Sequence, residues 1–254
     1  MTVDVVVLAG GKNSPAMAAA SGVENRAMTP IGTRTMLDYV TSALAETPSI
    51  GRIYVVGDVP GSTGYTQVTG GETLLDNLLA GLKAAGDQER VLISTSDIPF
   101  VTPASLEDFV EKAAASGADL CCSYVPVAAC TQKYPEMKRT AVKVAEGQFT
   151  LGNVMLVNPR FMIAHQATIS QAYAARKSPV KVAKMLGMGL LARLIGAQLV
   201  SSKMLTIAAL EQAVSRLLGS GGRAVGICSA HPEIGTDVDN PEDVAIARRI
   251  LAGS

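Results

Sequence analysis

The fold of this chain is decided by an apolar strand that runs directly into a double glycine, Val5-Val6-Val7-Leu8-Ala9-Gly10-Gly11-Lys12. The continuous apolar run is typical of a strand that is covered on both faces of a sheet. Glycine lacks Cβ and accepts positive φ, so Gly10 and Gly11 are expected to leave backbone N–H groups open to an anion. The stretch predicts nucleotide chemistry, although this strand end does not carry the dinucleotide fingerprint G-x-G-x-x-G.

Strand and helix patterns alternate along the first half of the chain. After the first strand, the apolar spacing predicts a helix over 35–46, a strand over 52–57, a helix over 74–86, a strand over 91–95 and a helix that begins at Pro103. This βαβα order predicts an α/β fold with a doubly wound, mostly parallel sheet. Ligands of such sheets bind at the carboxyl ends of the strands, so Gly10-Gly11 and Asp97 are expected on the same side.

The second half of the chain has a more mixed pattern. Residues 161–218 are mostly helical by pattern, which predicts a helical insertion at about 159–220 within a single domain that spans 1–254. Near the end of the chain, Asn240, Pro241 and Asp243 have the spacing of an N-cap, a first helical residue and a capping-box acid. Strands are predicted over 119–127, 139–144, 152–157 and 223–228.

Charge and composition exclude several classes of protein. The chain has 22 basic and 22 acidic residues, so its formal charge of zero does not favour a nucleic-acid partner. The four cysteines match no zinc motif, and we expect reduced core thiols in a cytoplasmic protein. The apolar segment 182–200 contains Lys184 and Arg193, so no membrane span is predicted.

Four segments in order resemble the MobA-like NTP transferase family of nucleotidyltransferases, and the resemblance covers nearly the whole chain. It implies a glycosyltransferase-A type, Rossmann-like fold of the nucleotide-diphospho-sugar transferase kind. The four segments are Leu8-Ala9-Gly10-Gly11, similar to the family's phosphate loop; residues 25–37, similar to its PK-x-L-x-P-x-x-G-x-P-x-L segment; Ser96-Asp97-Ile98-Pro99, similar to its D-x-P strand end; and residues 237–243, similar to its D-x-D-T-P-E-D close.

The resemblance implies a reaction in which an NTP and a small phosphorylated acceptor give an NDP-linked product and pyrophosphate. Charge on the transferring phosphate needs cations, and Mg²⁺ held by carboxylates is the usual choice. Asp97 and Asp239 are the implied metal ligands. Asp237 is expected to be structural, although Asp237 and Asp239 could exchange roles. Arg26 stands where the family usually has a lysine that contacts phosphate, and a guanidinium can grip phosphate with two donors. Arg26 and Asp97 are therefore the expected catalytic residues.

Further binding roles follow from the same resemblance. Leu8, Ala9, Gly10, Gly11 and Lys12 are the expected phosphate loop, and the Gly70-Gly71 turn is the expected nucleobase contact. The acceptor is expected to meet Lys138, Arg139, Gly152 and Asn153, and the lysines between 177 and 184 are a further candidate for its phosphate. The helical region at about 159–220 is expected either to cover the acceptor or to form a homodimer contact.

One departure from the family pattern keeps other functions open. The family usually follows its double glycine with x-Gly-x-Arg, whereas Asn13 and Pro15 stand at the glycine and arginine positions here. Lys12 and Arg34 are the candidates to replace the missing cation. The chain therefore has two alternatives to a full enzyme of this type: a nucleotide-binding or regulatory relative with weak catalysis, and a glycosyltransferase of the same fold that uses an NDP-sugar.

Overall fold

The protein is described by a computed structural model that covers residues 1–175, 185, 188–219 and 221–252. Ten strands are seen in this part of the chain: β1 Val3–Leu8, β2 Pro30–Ile31, β3 Arg34–Thr35, β4 Ile50–Val56, β5 Thr66–Val68, β6 Val91–Thr95, β7 Leu120–Pro126, β8 Val142–Val144, β9 Gly147–Val157 and β10 Ala224–Cys228. Eight of them form one sheet, and β2 and β3 form a small antiparallel hairpin.

The main sheet is mixed and mostly parallel, as predicted. Its strand order is β10-β7-β9-β6-β1-β4-β5, with β8 paired to β9. Strand β9 runs antiparallel to β6, β7 and β8, and the other pairs are parallel. Leu8 pairs with Thr95 in the register of β1 and β6. The residues that follow these two strands, Gly10-Gly11 and Asp97, therefore emerge at the same edge of the sheet.

Helices lie between and after the strands. The described helices are α1 Pro15–Ser21, α2 Met36–Ala45, α3 Leu74–Ala85, α4 Pro103–Ser116, α5 Val127–Lys133, α6 Pro159–Ala164, α7 Gln166–Ala175, α8 Met188–Leu199, α9 Ile207–Leu218 and α10 Pro241–Leu251. Three single 3₁₀ turns occur at Arg26–Met28, Ser202–Met204 and Pro232–Gly235. Helices α6 to α9 lie in the region where the sequence predicts a helical insertion.

Local sequence signals explain where these helices begin. Thr102 is the N-cap of α4, with Pro103 as its first residue, as predicted. Thr73 forms a complete capping box with Asp76 at the start of α3, and Asn240 caps α10 by accepting from the Asp243 N–H at 3.0 Å. Each cap fixes the first turn of its helix. The beginnings of these helices lie next to the chain segments that carry the site.

Apolar side chains fill both faces of the sheet. Every residue of β1 is buried, which agrees with a central strand covered on both sides. Val5 and Val7 pack with α2 and α4 residues on one face, whereas Val6 and Leu8 pack against Leu82 of α3 on the other. Helices therefore cover both faces of this strand, and its glycine-rich end remains at the edge.

The structure corrects several sequence predictions. Residues 139–141 precede the short strand β8, and β9 begins at Gly147 instead of residue 152. Cys228 is exposed, so the expectation of core thiols fails at this cysteine. The lysines between 177 and 184 lie outside the described residues. No helix in the described parts of the chain has the length and apolarity needed to cross a membrane.

Candidate active site

The predicted phosphate loop lies at the carboxyl end of β1. The Ala9 N–H donates to the Val56 carbonyl at 2.8 Å, which holds the loop against β4. Gly10, Gly11 and Lys12 follow and are exposed at this edge. The positive-φ glycines of the described chain do not include Gly10 or Gly11, so the loop does not use this freedom of glycine. Glycine is needed at position 10 for another reason, because a Cβ there would lie 2.5 Å from Nδ2 of Asn77.

A polar cleft of about 340 Å³ opens beside the loop. Gly10 forms one side of the cleft and the Gly70-Gly71 turn forms the other. Buried Asn77, in the first turn of α3, lies between them and accepts from the Gly71 N–H at 2.7 Å. A Cβ at Gly70 would lie 2.6 Å from Oδ1 of Asn77. The double-glycine turn and the phosphate loop are therefore packed against the same amide side chain.

Arg26 is brought to the site by a short 3₁₀ turn. Asn25 caps this turn by accepting from the Ala27 N–H at 2.9 Å, and its own amide donates to the Asp58 carbonyl at 2.9 Å. The backbone N–H of Arg26 donates to the Gly11 carbonyl at 2.9 Å. The residue predicted to contact phosphate is thus hydrogen-bonded through its backbone to the predicted phosphate loop.

The Arg26 guanidinium joins the two predicted metal ligands. Its Nη1 lies 3.2 Å from Oδ2 of Asp97 and 2.5 Å from Oδ1 of Asp239. The Asp97 side chain is 15% exposed and that of Asp239 is 51% exposed. Two carboxylates from distant parts of the chain therefore converge on one cation at the edge of the sheet.

Asp239 belongs to a short segment, 237–239, that is anchored on several sides. The Val238 N–H donates to the Asp97 carbonyl at 2.9 Å. The Asp239 N–H donates to Asp243 of α10 at 3.1 Å. Arg139 donates to Asp237 through one nitrogen, at 2.8 Å to Oδ1 and 3.1 Å to the carbonyl oxygen. The main chain that carries Asp239 is therefore fixed by three separate elements.

Acidic groups crowd this segment. Burial, followed by the negative charge of Asp239 and a hydrogen bond to it, raises the pKa of Asp237 to about 7. Burial also raises the pKa of Asp243. Burial is the largest cause of both shifts, and the neighbouring carboxylates add to it, so the segment is a partly desolvated, acidic environment.

The carboxylates suit a divalent cation. Oδ1 of Asp97 is buried and has no hydrogen-bond partner among the described residues, so one oxygen of a charged group is left unsatisfied. The described residues include no ready-made group of three His, Cys, Asp or Glu side chains with metal-binding geometry. Two carboxylates are nonetheless sufficient for Mg²⁺, which is commonly completed by phosphate oxygens and water. Asp97 and Asp239 therefore fit the ion, provided that Arg26 moves off them.

The predicted acceptor residues differ in how they are placed. Gly152 is packed tightly, since a Cβ there would lie 2.1 Å from Oγ of Ser123. Asn153 donates to the Ile234 carbonyl at 3.2 Å. Lys138 is exposed, whereas the Arg139 side chain is only 7% exposed. Among these four residues, Lys138 is the one with an exposed charged side chain. The acceptor roles of all four remain predictions.

The loop after the double glycine has a structural role. Pro15 is the first residue of α1, with Ser14 as its N-cap. Asn13 donates from Nδ2 to Val23 and Thr29 at 3.0 Å each. Arg34 lies over the Tyr39 ring at 4.4 Å and donates to Ser42. Arg34 is therefore engaged on α2, which leaves Lys12 as the candidate to replace the arginine that the family usually has.

Sequence reasoning missed two residues of the site. Asn77 lies within a leucine-rich helical pattern that gives no sign of which polar side chain faces the glycine turn. The sequence context of Asp237 indicates a local structural role. The structure instead shows a contact with Arg139, which lies 98 positions away in the sequence. No local pattern marks such a contact, although a capping box at Thr73 and Asp76 does indicate that Asn77 lies in the first helical turn.

Comparisons with known proteins cover most of the chain. A family model described as the MobA-like NTP transferase domain matches residues 5–184. A solved structure of a hypothetical transferase from Thermus thermophilus is 31% identical, with a TM-score of 0.81, and the match covers 96% of this chain and 100% of that one. Most of this chain therefore has the fold of that hypothetical transferase.

More distant matches have assigned activities. The 2-C-methyl-D-erythritol 4-phosphate cytidylyltransferase of Escherichia coli O1:K1 / APEC is 36% identical over 80 residues, which are 27% of this chain and 34% of the relative. The match thus spans about a third of that relative's length. A solved structure of an enzyme of the same name from Thermus thermophilus is 17% identical, with a TM-score of 0.58 and 99% and 100% coverage. At this identity the likeness shows the fold alone.

Proposed function

The chain belongs to the MobA-like NTP transferase family, a family of nucleotidyltransferases, and from this premise we propose that it transfers an NMP group from an NTP to a small phosphorylated acceptor with release of pyrophosphate. The observation that carries the proposal is the convergence of Asp97 and Asp239 on Arg26 at the end of β1, beside the Gly10-Gly11 loop. Bound phosphates would meet exposed backbone and a cation at one point.

The reaction needs one bond to form and one to break at the α-phosphorus. An oxygen of the acceptor phosphate attacks the α-phosphorus, and the bond to the β-phosphate oxygen breaks in line, so that pyrophosphate leaves with the electron pair. Mg²⁺, held by Asp97 and Asp239, would neutralise charge on the transferring phosphate. Arg26 would turn from the two carboxylates to the phosphates and stabilise the charge that develops there.

The base would occupy the cleft between Gly10 and the Gly70-Gly71 turn. The amide of Asn77 and the backbone groups of the turn give this cleft hydrogen-bond donors and acceptors. CTP is the first nucleotide to test, because the curated relatives with a partial match are cytidylyltransferases. We assign the acceptor phosphate to the exposed side chain of Lys138. Gly152 and Asn153, which belong to strand β9, are assigned to the rest of the acceptor.

A second candidate function is nucleotide binding with little turnover. It is favoured by Pro15, which stands at the family's arginine position and begins α1, and by Arg34, which is held on α2. Loss of one charge-stabilising contact can lower a rate by about 100-fold or more. Lys12 is exposed on the loop and is the candidate to take the place of the missing arginine beside Arg26.

The test measures pyrophosphate release with ATP, CTP, GTP and UTP, each offered with a panel of sugar phosphates and Mg²⁺. Turnover with one nucleotide and acceptor supports the proposed reaction. Tight NTP binding without pyrophosphate release on any acceptor supports the binding protein instead. Binding of an NDP-sugar with no pyrophosphate chemistry would favour a glycosyltransferase of this fold. Asp97→Asn serves as the inactive control throughout.

A further inference from the structure

The 237–239 segment is held from behind by a buried arginine. The Arg139 side chain is 7% exposed, and its Nη1 donates both to Oδ1 and to the carbonyl oxygen of Asp237. We propose that Arg139 is a positioning residue, which fixes this segment so that the carboxylate of Asp239 faces the transferring phosphate. The inference rests on the proposed function, and it replaces the direct acceptor contact that the sequence predicts for Arg139.

Three successive residues of the segment are tied to three different parts of the fold. Asp237 is bound by Arg139, the Val238 N–H by the Asp97 carbonyl, and the Asp239 N–H by Asp243. The backbone is fixed at each of the three residues. The Asp239 side chain extends to Arg26, with 2.5 Å between Oδ1 of Asp239 and Nη1 of Arg26. Without Arg139, only the Val238 and Asp239 anchors would remain.

One nitrogen of Arg139 makes both contacts with Asp237. Nη1 donates to a carboxylate oxygen and to a main-chain oxygen, whereas Nη2 lies 3.6 Å from the Met137 sulfur. Nε is buried and has no hydrogen-bond partner among the described residues. The contact thus ties the Asp237 side chain to its backbone through a single donor atom. A lysine ammonium also offers such a donor, so an uncharged side chain is needed to test the contact.

The same contacts argue against a direct role at the acceptor. An Arg139 side chain that turned outward would give up two hydrogen bonds to Asp237, whose side chain is 30% exposed, and hydrogen bonds to a charged group are costly to lose. Lys138, its neighbour, is exposed and can meet a phosphate without breaking a contact. The two adjacent cations thus divide into one that faces solvent and one that holds the site.

The first experiment is a double-mutant cycle of Arg139→Met and Asp237→Ala, with pyrophosphate release measured at varied NTP and acceptor. If Arg139 acts through Asp237, each single change lowers kcat by about 10- to 100-fold with little change in the KM for the acceptor. The double variant is then no slower than the slower single variant, because both changes remove one contact. Additive losses, or a raised acceptor KM as the main effect, would overturn the inference.

Arg249→Met is the matched control. Arg249 of α10 pairs with Glu136, which lies in the same loop as Arg139, with 2.5 Å between Nη2 and Oε1. The side chains of Arg249 and Glu136 are each 61% exposed. Exposed ion pairs contribute little, so this variant should keep the wild-type kcat and KM. An equal loss of kcat in Arg249→Met would show that any tether of this loop matters, and it would refute the specific role of Arg139.

A readout that does not depend on turnover separates this inference from the proposed function. Mn²⁺ binding in the presence of a non-hydrolysable CTP analogue is measured by calorimetry for wild type and Arg139→Met, with thermal unfolding as the check on folding. Wild-type turnover fails if the proposed reaction is wrong, whatever the variants do. Given a folded Arg139→Met protein, about tenfold weaker Mn²⁺ binding supports the positioning role, and unchanged Mn²⁺ binding contradicts it.

Discussion

The backbone N–H of Val238 donates to the carbonyl oxygen of Asp97 at 2.9 Å, and this bond joins the two loop segments that carry the predicted metal ligands. Asp97 follows β6 and Val238 precedes α10, so the bond links residues 141 positions apart in the printed sequence. The main chain, and not only the side chains, therefore sets the spacing of Asp97 and Asp239. A side-chain change at either position should alter chemistry more than it alters the fold.

Asp97→Asn should abolish turnover and leave the protein folded. The amide keeps the shape of the carboxylate but removes the charge that a divalent cation requires, so we expect pyrophosphate release to fall by about 100-fold or more. The backbone bond to Val238 does not depend on the side chain, so the thermal unfolding midpoint should stay close to that of wild type. Turnover retained in a folded Asp97→Asn protein would rule out the metal role.

Arg26→Met should make the protein more responsive to Mg²⁺. In the structure the guanidinium neutralises both Asp97 and Asp239, and its removal leaves two carboxylates facing each other. We expect a lower unfolding midpoint without metal and a larger rise of that midpoint on addition of MgCl₂ than in wild type, because the ion no longer competes with the arginine. Turnover should fall as well, since the phosphates lose a cation.

Arg160→Met is the control for that experiment. Arg160 pairs with Asp87 at 3.4 Å, and both side chains are largely exposed. Its loss should leave both the midpoint and its response to MgCl₂ unchanged. If Arg26→Met and wild type show the same Mg²⁺-dependent shift, the ion does not bind between Asp97 and Asp239.

Thiol labelling should single out Cys228. Burial raises the pKa of Cys121 and Cys130, and it raises that of Cys122 to about 12, whereas Cys228 is exposed. Because the thiolate is the reactive form, a chromogenic disulfide reagent at pH 8 should label one thiol quickly and the other three only on unfolding. Cys228→Ser should remove the fast phase, and a fast phase that persists would contradict this assignment.

Much of the fold could be predicted because its signals are local. The apolar run of β1, the helical spacing of α2 and α3 and the Asn240 N-cap of α10 are each predicted from a few neighbouring residues. The capping box expected at α10 is incomplete, because Asp243 accepts from the Asp239 N–H and not from that of Asn240. The sequence pattern places the start of β9 too late, because the first half of this strand alternates around exposed Leu151 and contains Gly147, which weakens the strand pattern.

The site was predictable in its residues but not in its contacts. Motifs identify Arg26, Asp97 and Asp239 as candidates, yet no motif indicates that the arginine donates to both carboxylates. The predicted strand begins at Val142 instead of residue 139, and Arg139 donates to Asp237 across 98 positions of sequence. Neighbouring residues do not mark either contact.

Gly10→Ala and Gly11→Ala form a matched pair that tests the packing of the phosphate loop. A Cβ at Gly10 would lie 2.5 Å from Nδ2 of Asn77, whereas a Cβ at Gly11 would have nothing within 4 Å. Asn77 is 5% exposed and its Oδ1 accepts from Gly71, so it cannot swing away without breaking that bond. We expect Gly10→Ala to lower the free energy of unfolding by about 1–3 kcal/mol, and Gly11→Ala to leave it unchanged. Denaturant titration measures both, and equal stability of the two variants would show that Asn77 does not lock the glycine turn against the loop.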